Sequence, residues 1–129
     1  MADERDVTGI WYGSYAGLGQ YNAFIAQLDE RALGVTGTIT ERDEYRVSDL
    51  RRASVSGSRG GGTIAFVKQY DGAGIFAHAV DYTGQVNEEG TEITGHWSIE
   101  GRYRGTFVMR REKFAADELA DEVVMETRK

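Results

Sequence analysis

The chain of 129 residues contains no cysteine and no proline. Without cysteine there is no disulfide framework, no thiolate metal site and no cysteine nucleophile. Without proline, the 17 glycines do not fit the Pro- and Ser-accompanied composition of a disordered linker. Histidine is scarce, with two residues and no His-x-His, so a zinc site is not indicated. No run approaches the roughly 18 apolar residues that a membrane-spanning helix requires. The opening Met1-Ala2-Asp3-Glu4-Arg5-Asp6 carries no apolar stretch, so the expectation is a cytoplasmic protein. Bases are outnumbered, 15 Lys and Arg against 21 Asp and Glu, for a net charge of −6. That balance disfavours nucleic acid and anionic membranes as partners.

What the chain does have is a repeated alternation. Val, Ile, Thr, Tyr and Phe recur in short segments separated by turn residues, which predicts an all-β protein. Eight strands are expected, over Val7–Ala16, Tyr21–Asp29, Leu33–Glu41, Leu50–Arg59, Thr63–Tyr70, Phe76–Asn87, Glu92–Glu100 and Arg102–Arg111. The connectors are Gly17-Leu18-Gly19, Glu30-Arg31, Gly60-Gly61-Gly62, Asp71-Gly72-Ala73-Gly74, Glu88-Glu89-Gly90 and Glu100-Gly101. Mostly tight connections favour an eight-stranded antiparallel up-and-down barrel over a sandwich. Residues 7–111 form the single barrel domain in this reading. Residues 112–129 form an acidic C-terminal helix or tail, with Ala115, Leu119 and Val123 on one side at helical spacing.

Three hairpins allow the register to be derived. The first pairs Tyr70 with Phe76, Lys68 with His78 and Phe66 with Val80. The second pairs Val86 with Ile93, Gly84 with Gly95 and Tyr82 with Trp97. The third pairs Ile99 with Tyr103, Trp97 with Gly105 and Ile93 with Met109. Because side chains alternate with period two, all three place Phe66, Lys68, Tyr70, His78, Tyr82, Trp97, Tyr103 and their apolar neighbours on one face. That face is the expected interior. Glycines opposite large rings are expected to leave room in the lumen, and no carboxylate is forced onto the face that carries Lys68.

Gly9-Ile10-Trp11 on the first strand, seven further strands and a late Arg110-Arg111 resemble the calycin superfamily of lipocalins, fatty-acid-binding proteins and avidins. The resemblance implies a small barrel in which the first-strand Trp packs at one end against a C-terminal Arg. The avidin branch is the most similar in length, through Thr8-Gly9-Ile10-Trp11-Tyr12, Thr36-Gly37-Thr38, Gly84-Gln85, Trp97 and Thr106-Phe107. Biotin contacts of that branch are replaced here by Ile39, Phe66 and Gly105, and only Trp97 is kept, which argues against biotin. Phe66-x-Lys68-x-Tyr70, His78-x-Val80-x-Tyr82 and Gly95-x-Trp97 are similar to runs in small bacterial proteins with no assigned function. The Gly-x-Trp opening also resembles nitrobindin-type barrels, which implies a haem held by one His as an alternative to the expectation of no cofactor.

The expected function is binding of one small, partly apolar ligand with a polar or acidic group. Lys68 would meet a negative or carbonyl group, and His78 would hydrogen-bond. Tyr70, Tyr82, Trp97, Tyr103 and Trp11 would line the pocket or stack, with Tyr15 beside them. Two alternatives stand beside it. One is a filled barrel acting as an interaction or oligomerisation module, with a homodimer as its partner state, marked by an apolar outer patch around Val67, Ala65 and Ala79. The other is an isomerase or cyclase using a Lys68–His78 acid–base pair. Ser14, Ser56 and Ser98 lack a nucleophile-elbow context, and Gly60-Gly61-Gly62 lacks the Lys-Ser/Thr of a phosphate loop. The expectation is therefore a binder rather than an enzyme.

Overall fold

Alternating side chains need a sheet with one buried face, and a sheet of eight strands can bury that face by closing on itself. The computed structural model describes residues 4–42, 50–71 and 79–112, and they do this. The strands are β1 (Gly9–Gly17), β2 (Gln20–Arg31), β3 (Gly34–Arg42), β4 (Leu50–Gly60), β5 (Thr63–Tyr70), β6 (Ala79–Val86), β7 (Glu92–Ile99) and β8 (Tyr103–Arg110). They run in sequence order around a closed antiparallel barrel. β1 closes it by pairing with β8, from Tyr12 opposite Arg110 to Ala16 opposite Thr106.

The registers of β6 with β7 and of β7 with β8 are the expected ones, with Tyr82 opposite Trp97 and Trp97 opposite Gly105. The β5–β6 register differs. Lys68 faces Val80 and Phe66 faces Tyr82, a slip of two residues from the derived pairing. A slip of two keeps every side chain on its face, so periodicity alone does not detect it. The last described pair on this side is Gln69 with Ala79; most of the turn expected over Asp71–Ile75 lies outside the described residues. The β2–β3 turn also moves, from Glu30-Arg31 to Ala32 and Leu33, which adopt left-handed φ angles of 51° and 70°. Neither residue type favours that conformation.

The interior carries Trp11, Phe24, Ala26, Ile39, Val55, Ile64, Phe66, Tyr82, Ile93, Phe107 and Met109, all buried. The glycines that were expected to leave space are instead overlaid by rings. A Cβ at Gly84 would meet the Phe107 ring at 2.9 Å, one at Gly13 the Phe24 ring at 2.5 Å, and one at Gly105 the Trp97 ring at 2.5 Å. Phe66 stacks on Tyr82 at 4.8 Å between centroids, and Phe107 meets Tyr82 edge-on at 4.9 Å. The middle of the barrel is packed by interlocking aromatics and glycines.

One end is sealed. Trp11 donates its indole N–H to the Val7 carbonyl at 2.9 Å, and the Arg111 guanidinium covers its ring at 4.3 Å. Arg111 also donates to the carbonyls of Gly90, Thr8 and Asp6, tying the chain on either side of the barrel together. Beneath them Arg59 and Glu30 form a bidentate pair at 2.6 and 2.8 Å, with both side chains almost wholly buried. The expected meeting of a first-strand Trp with a late Arg is thus present.

Candidate functional site

At the opposite end, inward positions near the strand termini are polar. The alternation Val35, Gly37, Ile39 along β3 continues to Glu41, and that of Val55 and Ala53 along β4 continues back to Arg51. Both are buried, and so is Lys68 on β5, at 1% exposure. Cross-strand pairing sets Glu41 directly opposite Arg51. Glu41 Oε1 lies 3.4 Å from both Lys68 Nζ and Arg51 Nη2. Its Oε2 accepts from the Tyr15 hydroxyl at 2.5 Å and from Asn22 Nδ2 at 3.2 Å, while Asn22 also donates to the Tyr15 oxygen at 2.8 Å. A single carboxylate therefore serves two cations, a phenol and an amide.

Lys68 has a second set of neighbours. Its ammonium lies 4.5 Å from the ring centroids of Tyr15 and Tyr70 and 5.3 Å from that of Tyr82. Three electron-rich faces and one shared carboxylate oxygen hold a charge that the barrel has removed from water. Burial brings the Lys68 pKa down to about 8, with Arg51 pushing the same way and Glu41 opposing. The phenols move the other way. Burial, reinforced by Glu41, pushes Tyr15 up to about 12 and holds Tyr70 and Tyr82 well above the usual phenol range. At neutral pH the cluster therefore offers two cations and protonated phenols, with Glu41 as the carboxylate among the described residues.

The structure brings Lys68, Tyr70 and Tyr82 together and sets Trp97 beside them. Trp97 meets Tyr15 edge-on at 6.3 Å and donates its indole N–H to the Ala16 carbonyl at 3.0 Å. Trp11 is not part of this group, because it plugs the sealed end. Tyr103 is 45% exposed at the start of β8, with the Arg102 guanidinium 5.8 Å from its ring. His78 lies outside the described residues, and the slipped register takes Lys68 to Val80 instead. His96, the other histidine, faces outward and is exposed, so no described histidine points into the barrel towards a haem. Sequence reasoning missed Glu41, Arg51 and Asn22. Period-two alternation from Ile39, Ala53 and Phe24 reaches all three and is the signal that finds them. The expectation that Lys68 shares its face with no carboxylate is corrected by Glu41.

No family model matches the chain, and no curated protein matches it. Among solved structures the barrel is similar to a redesigned β-barrel, with a TM-score of 0.70 and 10% identity over 86% of this chain and 96% of that one. It is also similar to a de novo designed fluorescence-activating β-barrel, with a TM-score of 0.66 and 12% identity over 87% of this chain and all of the other. At such identities the likeness speaks for the fold alone: a small, closed, eight-stranded antiparallel β-barrel.

Proposed function

We propose that the chain is a small-molecule-binding barrel whose ligand enters at the Lys68 end, places an acidic group near Lys68 and rests its apolar part against Tyr82 and Trp97. The observation that carries this reading is the buried ammonium of Lys68, which shares one carboxylate oxygen with Arg51 at 3.4 Å. A buried lysine is a costly way to fill a barrel, since a hydrophobic side chain of similar volume avoids the desolvation. A ligand carboxylate or phosphate would give the Lys68 ammonium an anion at close range in place of the 3.4 Å contact to Glu41. The likeness to a barrel designed to activate fluorescence is in keeping with the reading.

A filled barrel serving as an interaction module is the second reading, favoured by the rings that occupy the glycine gaps. Native mass spectrometry of protein purified without denaturation separates the two. A ligand reading expects a retained mass of a few hundred daltons, or a shift with a panel of aromatic and medium-chain carboxylic acids, either of which is lost in Lys68→Met. A clean apo mass unmoved by that panel overturns it in favour of the filled barrel.

A further inference from the structure

A closed barrel needs no partner to satisfy its strand edges, so its outer face is expected to be polar at most positions. The outer face of β1 and β2 is not. Ile10 is 53% exposed, Tyr12 63%, Ile25 49% and Tyr21 71%. Tyr12 stands directly opposite Ile25, and Ser14 opposite Ala23, so the exposed apolar groups form one stripe running up the wall. Around Val67 the outer neighbours are instead Asp81 and Ser56, which breaks up the patch expected there.

The lower end of the stripe is a groove lined by Ile10, Tyr12, Arg110, Arg111 and Glu112. Glu112 is the last described residue, so the chain leaves the barrel inside this groove. The 17 residues that follow, 113–129, are enough for a helix of roughly 26 Å, close to the roughly 30 Å of a nine-residue strand such as β1. At helical spacing Ala115, Leu119 and Val123 share one side, with Ala116, Ala120 and Val124 adjoining it. Asp117, Glu118, Asp121 and Glu122 fall on the opposite side. Arg110, which stands opposite Tyr12 on β8, is itself paired with Glu92 at 2.8 Å. Length, starting point and apolar periodicity match the surface, and the acidic side is left towards solvent.

We propose that segment 113–129 of the same chain docks as an amphipathic helix along the outer face of β1 and β2, covering Ile10, Tyr12 and Ile25. The absence of cysteine makes the test direct. In the 129-residue chain, Tyr12→Cys combined with Leu119→Cys is oxidised and mapped by mass spectrometry, with Val67→Cys plus Leu119→Cys as the control on the far wall. An intramolecular 12–119 disulfide formed at least ten-fold faster than the 67–119 disulfide is expected. Leu119→Asp in the otherwise native chain is expected to raise binding of an apolar dye several-fold while the far-UV β signature is unchanged. Tyr12→Ser, which sits on the surface and does not threaten the fold, is expected to speed exchange of the backbone amides of residues 115–124. Equal rates for the two cysteine pairs, or amides of 115–124 that exchange at coil rates in the native chain, overturn the proposal. Intermolecular 12–119 disulfides accompanied by a dimer in solution overturn it in favour of a second copy as the occupant.

Discussion

The two ends of the barrel are built from the same kinds of residue and do opposite things with them. Each buries a cation with a carboxylate beneath an aromatic group. At the sealed end Arg59 meets Glu30 at 2.6 and 2.8 Å, and Glu30 also accepts the Val7 N–H at 3.2 Å. Arg59 and Glu30 are matched there in a planar fork. At the other end Glu41 is divided between Lys68 and Arg51, both at 3.4 Å, and Lys68 falls back on tyrosine rings. The first arrangement closes a structure. The second keeps a charge buried at a cost to stability, and the proposed binding reading rests on that cost.

Breaking the matched pair gives the largest expected effect. Glu30→Gln or Arg59→Met leaves one buried charge without its counterion and is expected to cost about 3–5 kcal/mol in denaturant unfolding. Lys68→Met at the other end is expected to cost nothing or to stabilise, since methionine fills much of the volume without the desolvation. A loss of more than about 2 kcal/mol in Lys68→Met would mean that the Lys68 cluster is as structural as the sealed end, and the contrast between the ends would fall.

The same contrast has a pH signature. Lys68 titrates near 8 in the folded chain against an ordinary value of 10.5, so between those values the unfolded chain holds a proton that the folded one has released. Stability then rises with pH across that window, by up to about 3 kcal/mol for a shift of this size. Tyr15, raised from 10.0 to about 12, acts in the opposite sense. Above pH 10 the unfolded phenol loses its proton first, so stability falls again. Unfolding free energies from pH 7 to 11 are expected to pass through a maximum near pH 10, and Lys68→Met is expected to lack the rising limb. A rising limb that survives in the variant would assign the titration to another group.

Much of this architecture is legible in the sequence, and the reason is local. Gly84, Gly95 and Gly105 opposite Gly95, Gly84 and Trp97 follow from turns short enough to set the register by themselves. Between β5 and β6 several glycine-rich turn centres fit the composition equally well, and the Lys68–His78 pair derived from one of them is replaced by Lys68 and Val80. The Ala32-Leu33 turn is invisible for a different reason: its left-handed conformation opposes the preferences of both residues. Glu41, Arg51, Glu30 and Arg59 lie on the inward phase of their strands, yet nothing local says that a charge will be tolerated there. That tolerance comes from partners on other strands: Arg51 and Lys68 beside Glu41, and Arg59 beside Glu30.

A smaller effect separates the ends at Arg111. Its guanidinium caps the Trp11 ring and donates to three carbonyls. Arg111→Met keeps some of the packing and removes those bonds, with an expected loss of about 2 kcal/mol. Ligand retention at the far end is expected to be unchanged, measured by the same native mass spectrometry.

The two tryptophans make the finest test, because each donates one indole N–H to a backbone carbonyl across a similar distance. Trp11 donates to Val7 at 2.9 Å and Trp97 to Ala16 at 3.0 Å. Replacing either by phenylalanine removes one hydrogen bond and part of a ring, so each is expected to cost about 1 kcal/mol. In stability the two variants should be hard to tell apart. In binding they should differ: Trp97 stands beside Tyr15 in the Lys68 cluster, whereas Trp11 lies under Arg111 at the sealed end. Trp97→Phe is expected to weaken retention of a bound carboxylic acid several-fold while Trp11→Phe leaves it unchanged. Equal retention in both would show that the apolar part of the ligand does not reach Trp97 and would confine the site to Lys68 and its tyrosines.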